Sequence, residues 1–251
     1  MPKMILIIRP QPDANRDVAL LKRYGVPALA SPSMKGMQLH YKLPKPTDFS
    51  GIIMTSRNAV DTIATSRHTA AWAKMPIFVV GAASAAAARN AGFLDIIIGA
   101  GGGAGLLPSI RRYISDRKGT QDIDNLPLFW PSAVEISFDM VAALAAHEIA
   151  VQRLPVYQMI ANDELDAVTT DKIGKGAIAA VVAMSSRSIR IFQKNLDAAG
   201  KGSSRGRMAL IAGSAAIAAA AGDGWQMVYV ARQPRRSRLL AIAILRYQRG
   251  H

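Results

Sequence analysis

The sequence contains no cysteine, which removes structural disulfides, thiolate metal sites and a thiol nucleophile from consideration. Histidine is scarce as well. His40, His68, His147 and His251 are scattered, and none stands at metal-ligand spacing from another histidine or a carboxylate. Acidic residues number 17 against 31 lysines and arginines. They fall mostly in charged loops, and no pair can be nominated for acid and base work. Aromatics make up 6 % of the chain, a thin supply for a base-stacking platform. No Gly-x-Ser-x-Gly elbow, helix-turn-helix, zinc-finger or RNA-binding signature occurs. The most apolar long stretch, residues 208–221, is rich in alanine, carries Gly213 and Ser214, and is too short to span a bilayer. Residues 1–9 lack the length and cleavage pattern of a signal peptide and read as a first strand. The expected setting is the cytoplasm, with no membrane attachment.

What is present is an α/β pattern. Half of the 251 residues are hydrophobic, enough for one large core or two modest ones. The net charge of +14 and pI near 10.4 fit either a solvated basic surface or a polyanionic ligand. Short apolar runs at 3–9, 26–31, 52–54, 76–80, 94–98, 126–130, 151–159, 177–183, 208–212 and 225–230 read as strands. They alternate with helical patterns at 15–24, 82–90, 106–115, 138–146, 165–173, 189–199, 215–221 and 237–247, the signature of parallel α/β architecture. Residues 33–50 are polar, with Pro44 and Pro46, and read as a crossing segment outside the first sheet. The run GAGGGAG at 99–105 has neither the G-x-G-x-x-G spacing nor a following Lys-Ser/Thr, so it reads as a mobile loop at a sheet edge. GKGSSRGR at 200–207 reads as a flexible basic loop.

Two stretches share one pattern. IIMTSRNAVDTIA at 52–64 is an apolar strand, a polar turn and a helix start; AVVAMSSRSIRIF at 180–192 repeats it. The order strand, [TS]-S-R, helix, strand, small residues, helix, Gly, strand occurs at 52–98 and again at 180–230. Such turns place hydroxyls and free backbone N–H groups at the carboxyl ends of strands, where anionic ligands bind in parallel sheets. The polar residues at strand ends are Arg9, Thr55, Ser56, Arg57, Asn58, Ser84, Tyr157, Ser185, Ser186, Arg187 and Ser214. Any one of these serines or threonines taken alone reads first as a helix N-cap. As a set they resemble a carboxylate site without a strong nucleophile or base.

Arg9-Pro10, the Thr55-Ser56-x-Asn58-Ala59-Val60 turn, the VVGxxSAAA segment from Val79, the Gly-rich loop before Leu106-Leu107, Val156-Tyr157, the MSSRS turn and the SAAIAAAAGxGW segment from Ser214 form an ordered set. In that order they resemble the uroporphyrinogen-III synthase family over essentially the whole chain. The resemblance implies two parallel-sheet α/β domains (flavodoxin-like halves) joined by a two-stranded connection, with a cleft between them. Domain one would comprise residues 1–34 plus 161–251, and domain two residues 37–157. It implies a cofactor-free, metal-free hydro-lyase that closes hydroxymethylbilane into uroporphyrinogen III with inversion of the last pyrrole. Tyr157 would be the catalytic group. Arg9, Thr55, Ser56, Asn58, Gly81, Ser84, Ser185, Ser186, Arg187 and Ser214 would bind the substrate. The expected partners are the linear tetrapyrrole and, transiently, the enzyme that supplies it; nucleic acid is disfavoured and a monomer is expected. The sequence departs from the family in lacking a Gly-Pro-Thr-Thr turn, where Gly213-Ser214-Ala215-Ala216 stands nearby. Ala82 replaces a common Pro, with Ser84 at the usual Thr position. Glu148 stands where Gly usually precedes the late strand, and Arg57 and Arg187 stand where Pro is frequent. The alternatives are a non-catalytic two-domain module for a polyanion such as nucleic acid, or a degenerate synthase.

Overall fold

The computed structural model describes residues 3–66, 69–117, 126–233 and 235–249. His68 and His251, weighed above for a metal site, lie outside them, as do the first two residues of the 1–9 run. In chain order the elements are β1 (Met4–Ile7), α1 (Asp13–Arg23), β2 (Ala28–Ala30), β3 (Met34–Gln38), β4 (Gly51–Met54), α2 (Arg57–Ala64), α3 (Thr69–Trp72), β5 (Ile77–Val79), α4 (Ala82–Asn90) and β6 (Ile96–Ile98). There follow α5 (Leu107–Ser115), β7 (Leu128–Ala133), α6 (Met140–Ala145), β8 (Val151–Ala161), α7 (Ala167–Gly174), β9 (Ile178–Ala183), α8 (Ser186–Ala198), β10 (Ala209–Ala212), α9 (Ala215–Ala221), β11 (Met227–Val230) and α10 (Arg236–Gln248). The chain divides into two compact units, residues 1–36 with 160–251, and residues 37–159.

The first unit holds a five-stranded sheet in the order β11-β10-β9-β1-β2, with every pairing parallel. Alternation along each strand sends side chains to opposite faces. Ile5 and Ile7 of β1 join Leu21 of α1 and Leu239, Leu240 and Ala243 of α10 on one face. Leu6 and Ile8 join Ile189, Phe192 and Leu196 of α8 and Ile217 of α9 on the other. A sheet covered on both faces needs apolar residues at successive positions, and β9 is buried at all six of its residues.

The second unit holds the sheet β3-β8-β7-β4-β5-β6, in which β4–β5, β4–β7, β5–β6 and β7–β8 pair in parallel. Ile52 and Met54 of β4 face Val60 and Ile63 of α2 and Ala85 and Ala88 of α4. Ile53 faces the opposite way, toward Ile110 of α5 and Leu144 of α6. Three of the few aromatic rings concentrate here: Phe49, Trp72 and Phe129 lie with centroids 5.0–5.9 Å apart, and such ring pairs add about 0.5–1.5 kcal/mol each beyond their burial.

Both segments expected to be loose are held by specific contacts. In GAGGGAG the Ala100 N–H bonds to the Gly105 carbonyl at 3.1 Å. A Cβ on Gly99 would lie 2.8 Å from that carbonyl oxygen, and one on Gly103 would lie 2.6 Å from the Phe138 ring. The glycines therefore permit a close backbone approach beside the edge strand β6. Residues Gly202–Arg207 form a 3-10 turn with Ser204 buried; Arg205 pairs with Asp197, and Arg207 donates to Ser204. The basic side chains there hold the turn that feeds β10.

Four helices end in the same way, and a fifth keeps the closure with a different residue. In α1, α4, α7 and α8 the chain leaves through Gly25, Gly92, Gly176 and Gly200, all with positive φ. The N–H of the next residue returns to the carbonyl five back, as from Val26 to Leu21 and from Phe93 to Ala88. At the end of α6 the same closure runs from Ile149 to Leu144, but the left-handed position is Glu148, at φ 60. That is the position at which the sequence departs from the family's usual Gly, and its side chain makes the conformation costly.

Candidate active site

In parallel sheets a ligand site forms beyond the carboxyl ends of strands, where the order of connection reverses. In the second unit the chain runs from β4 outward through β5 and β6, then returns to β7 on the other side of β4. In the first unit the reversal lies between β1 and β9. The two strand–turn–helix repeats follow β4 and β9, so each stands at its unit's switch point.

At the end of β4 the chain enters α2 through Ser56, whose Oγ accepts the Ala59 N–H at 3.3 Å. This cap starts the helix at Arg57, so Arg57 and Asn58 stand in its first turn and not in a loop. Ser56 Oγ also lies 2.6 Å from the phenol oxygen of Tyr157 on β8. The two residues are 101 positions apart in sequence, and β7 separates their strands in the sheet. Tyr157 is 8 % exposed, its ring in the core with Phe129 and Val156. Burial pushes its pKa up, and the Ser56 hydrogen bond draws it down by less, leaving it above the usual value of 10.0. The phenol is therefore neutral and carries its proton at physiological pH. Thr55 Oγ1 accepts the indole N–H of Trp130 at 3.3 Å. Asn58 donates to the Met159 sulfur at 3.7 Å, and Arg57 donates to the Ala83 carbonyl at 3.2 Å. Gly81 precedes α4 at the neighbouring strand end, with open space where a Cβ would stand. Ser84, one turn in, is buried at 6 % exposure.

The first unit supplies the other residues. Ser185 caps α8 through Ser188 N–H at 3.4 Å, and Ser214 caps α9 through Ile217 N–H at 3.3 Å. Ser186 Oγ donates to the Ala216 carbonyl at 3.4 Å, joining the two turns. Arg187 follows in the first turn of α8. The helix start expected at Ile189 thus comes three residues earlier, because the Ser185 cap closes on Ser188 and draws Ser186 and Arg187 into the helix. Arg9, at the end of β1, pairs with Asp13 at 2.7 Å and with Asp17 at 3.2 Å. Asp17 is fully buried and also accepts from Arg236. The Arg9 guanidinium is thereby committed to fastening β1 to α1, which a lone strand-end arginine did not foretell.

The N-cap reading thus holds for Ser56, Ser185 and Ser214. It leaves room for contact with a ligand, because a capping serine accepts with its oxygen and keeps its own O–H to donate. The residues that sequence reasoning missed are Trp130, Arg153 and Ser132. Arg153 donates to Ser132 Oγ at 2.9 Å and to the Ala133 and Val134 carbonyls at 2.8 and 2.7 Å, fixing the end of β7. Trp130 reads in sequence as one more apolar strand residue, and nothing in its neighbourhood signals where its N–H points. Among the described residues no group of three or more His, Asp or Glu could hold a metal ion, and no helix is long and apolar enough to cross a membrane.

The profile of the family described as uroporphyrinogen-III synthase HemD matches residues 15–241. The chain belongs to the uroporphyrinogen-III synthase family. By family it is a lyase of haem biosynthesis. Two solved synthases show the same two-domain α/β fold. The uroporphyrinogen-III synthetase from Helicobacter pylori is 14 % identical, with 97 % of this chain and 99 % of that one covered and a TM-score of 0.60. A mutant uroporphyrinogen III synthase from Thermus thermophilus is 15 % identical, with 99 % and 100 % covered and a TM-score of 0.50. No curated protein matches the sequence.

Proposed function

We propose that the protein cyclises hydroxymethylbilane to uroporphyrinogen III, acting as a monomer in the cytoplasm, with Tyr157 as the group nearest the chemistry. The observation that carries the assignment of Tyr157 is its 2.6 Å hydrogen bond to Ser56 at the switch-point end of β4. In the reaction the terminal hydroxymethyl carbon loses its hydroxyl as water, leaving an azafulvene. The last pyrrole then attacks through its substituted carbon, and the spiro intermediate reopens and recloses with that ring inverted. When Ser56 donates to the phenol oxygen, the Tyr157 proton is released toward the departing hydroxyl. The raised pKa of the buried phenol favours donation of a hydrogen bond over complete proton transfer. The polarised C–O bond then breaks with the charge spread into the pyrrole, and the pyrrole N–H gives up the proton that completes the departing water as the neutral azafulvene forms.

The substrate carries an acetate and a propionate on each pyrrole. Thr55, Asn58 and Gly81 in one unit, and Ser185 and Ser214 in the other, offer hydroxyls, an amide and helix N-terminal N–H groups to such carboxylates; Ser186, whose hydroxyl donates to Ala216, offers its backbone N–H. Ser84 is buried and Arg9 is held by Asp13 and Asp17, so both support the turns and leave binding to their neighbours. Because the linear substrate closes unaided to the wrong isomer, the enzyme's task is to hold one geometry, which is catalysis by positioning. The test is a coupled assay with a source of hydroxymethylbilane and isomer analysis of the product. The type III isomer, formed faster than spontaneous closure, is expected; type I isomer at the uncatalysed rate refutes the proposal.

A further inference from the structure

We infer that Trp130 is a positioning residue that fixes the hydrogen-bond polarity of Thr55, so that Thr55 meets the substrate as a donor and selects a carboxylate. This rests on the reading of the site given under Proposed function. An indole N–H donates and never accepts. Trp130 is 1 % exposed, so its N–H must find an acceptor inside the protein, and Thr55 Oγ1 at 3.3 Å is the one it has. The indole is held in that direction from both sides. Phe78, Leu128 and Leu144 pack in the same core cluster, and the Arg153 guanidinium lies 5.5 Å from the ring centroid. That guanidinium is itself tied to Ser132 Oγ and to the Ala133 and Val134 carbonyls.

Thr55 is half-buried at the strand end. With its oxygen engaged by the indole, its own O–H remains, and among the described residues no acceptor takes that proton. The outward face of Thr55 is therefore a hydrogen-bond donor whose direction the indole restricts. A carboxylate oxygen is the acceptor that gains most from it, because a hydrogen bond to an ionised group is about twice as strong as one between neutral groups.

Binding is measured with uroporphyrin III, a stable carboxylate-rich macrocycle, read from the porphyrin's own fluorescence so that loss of an indole leaves the signal unaffected. Trp130→Phe is expected to weaken Kd about three- to tenfold and to raise KM by the same factor, with kcat held within about twofold. Thr55→Val is expected to match it, and the double variant to be no weaker than Thr55→Val alone. Thr55→Ser keeps the oxygen and is expected to retain binding. Urea midpoints separate these effects from loss of fold. If Trp130→Phe does not fold, the Trp130 indole N–H resonance decides: a shift on Thr55→Val supports the inference, and an unmoved resonance overturns it. Unchanged Kd in folded Trp130→Phe, additive losses in the double variant, or no binding by the wild-type protein also overturn it. Absent turnover with binding that still depends on Trp130 removes only the proposed reaction.

Discussion

Replacing Tyr157 with Phe removes one oxygen and little else. The ring stays in the core beside Phe129 and Val156, and Ser56 keeps its bond from the Ala59 N–H at 3.3 Å, so no buried polar atom is orphaned. The stability cost is then the net worth of one hydrogen bond, about 1 kcal/mol. Most domains have about 5–15 kcal/mol in hand, so the variant remains folded in the assay. The effect on catalysis has another origin. If Tyr157 donates to the departing hydroxyl as proposed, its loss removes a preorganised donor, a loss of about 100-fold or more in turnover, or about 2.7 kcal/mol in the barrier. The rate therefore falls far more than the folded population can explain. Isomer-resolved kinetics of the coupled reaction give kcat, and urea titration on the same preparation gives stability. A kcat within about twofold of wild type would take Tyr157 out of the mechanism. In the proposed role the protonated phenol is the active form, and burial raises its pKa above the usual 10.0, so this group predicts no loss of kcat between pH 7 and pH 9. The decline comes as pH rises through the raised value, and an alkaline limb carried by Tyr157 below pH 9 contradicts the assignment.

Two further outcomes follow from the fold. Glu148→Gly, which removes a side chain from the left-handed position after α6, is expected to raise stability by about 1 kcal/mol in urea unfolding without altering turnover; destabilisation would mean that the Glu148 side chain carries a compensating contact. Asp166 accepts from Thr169 N–H at 2.8 Å, Thr169 Oγ1 at 2.7 Å and Ser31 Oγ at 3.1 Å. Burial raises its pKa, but these hydrogen bonds together outweigh that and leave it below 3.8. Its contribution is present above the unfolded value and lost as pH falls through the lower folded value. Asp166→Ala is accordingly expected to cost about 1 kcal/mol at pH 7, with the gap from wild type closing below pH 3.8; a gap independent of pH refutes the role of the charge.

The architecture was legible because its signals are local and repeated. Helix α4 was read at 82–90 and is observed at Ala82–Asn90, since an alanine run between Gly81 and Gly92 leaves little alternative. The α/β order was equally plain in the apolar strands, whereas strand ends moved by a few residues, as at 94–98 against Ile96–Ile98. At the site, the hydroxyls after β4 and β9 were legible as a class because strand–turn–helix patterning places them. The partners were not: nothing around Ser56 points to Tyr157, and nothing around Thr55 points to Trp130. Those pairings depend on strand order, which is a property of the whole sheet. Arg9 shows the same gap, since the matching carboxylate on Asp17 and the second cation, Arg236, lie 219 residues apart.

The register of β1 carries a consequence for how the protein is made. Met4 lies beside Ile178, and Ile7 beside Val182, so a central strand of the first sheet waits for a partner synthesised more than 170 residues later. Until then β1 has only β2 to pair with, while every strand from β4 to β8 has already left the ribosome. The inserted unit can therefore finish folding first and bring the two flanking segments of chain closer together. That shortens the loop whose closure entropy the first sheet must overcome. The pairing of β9 against β1 is a long-range parallel contact, of the kind that forms slowly and leaves strand edges open meanwhile. The chain between β1 and β9 is therefore also a stretch of synthesis during which the apolar Ile5-Leu6-Ile7 strand lacks its β9 neighbour.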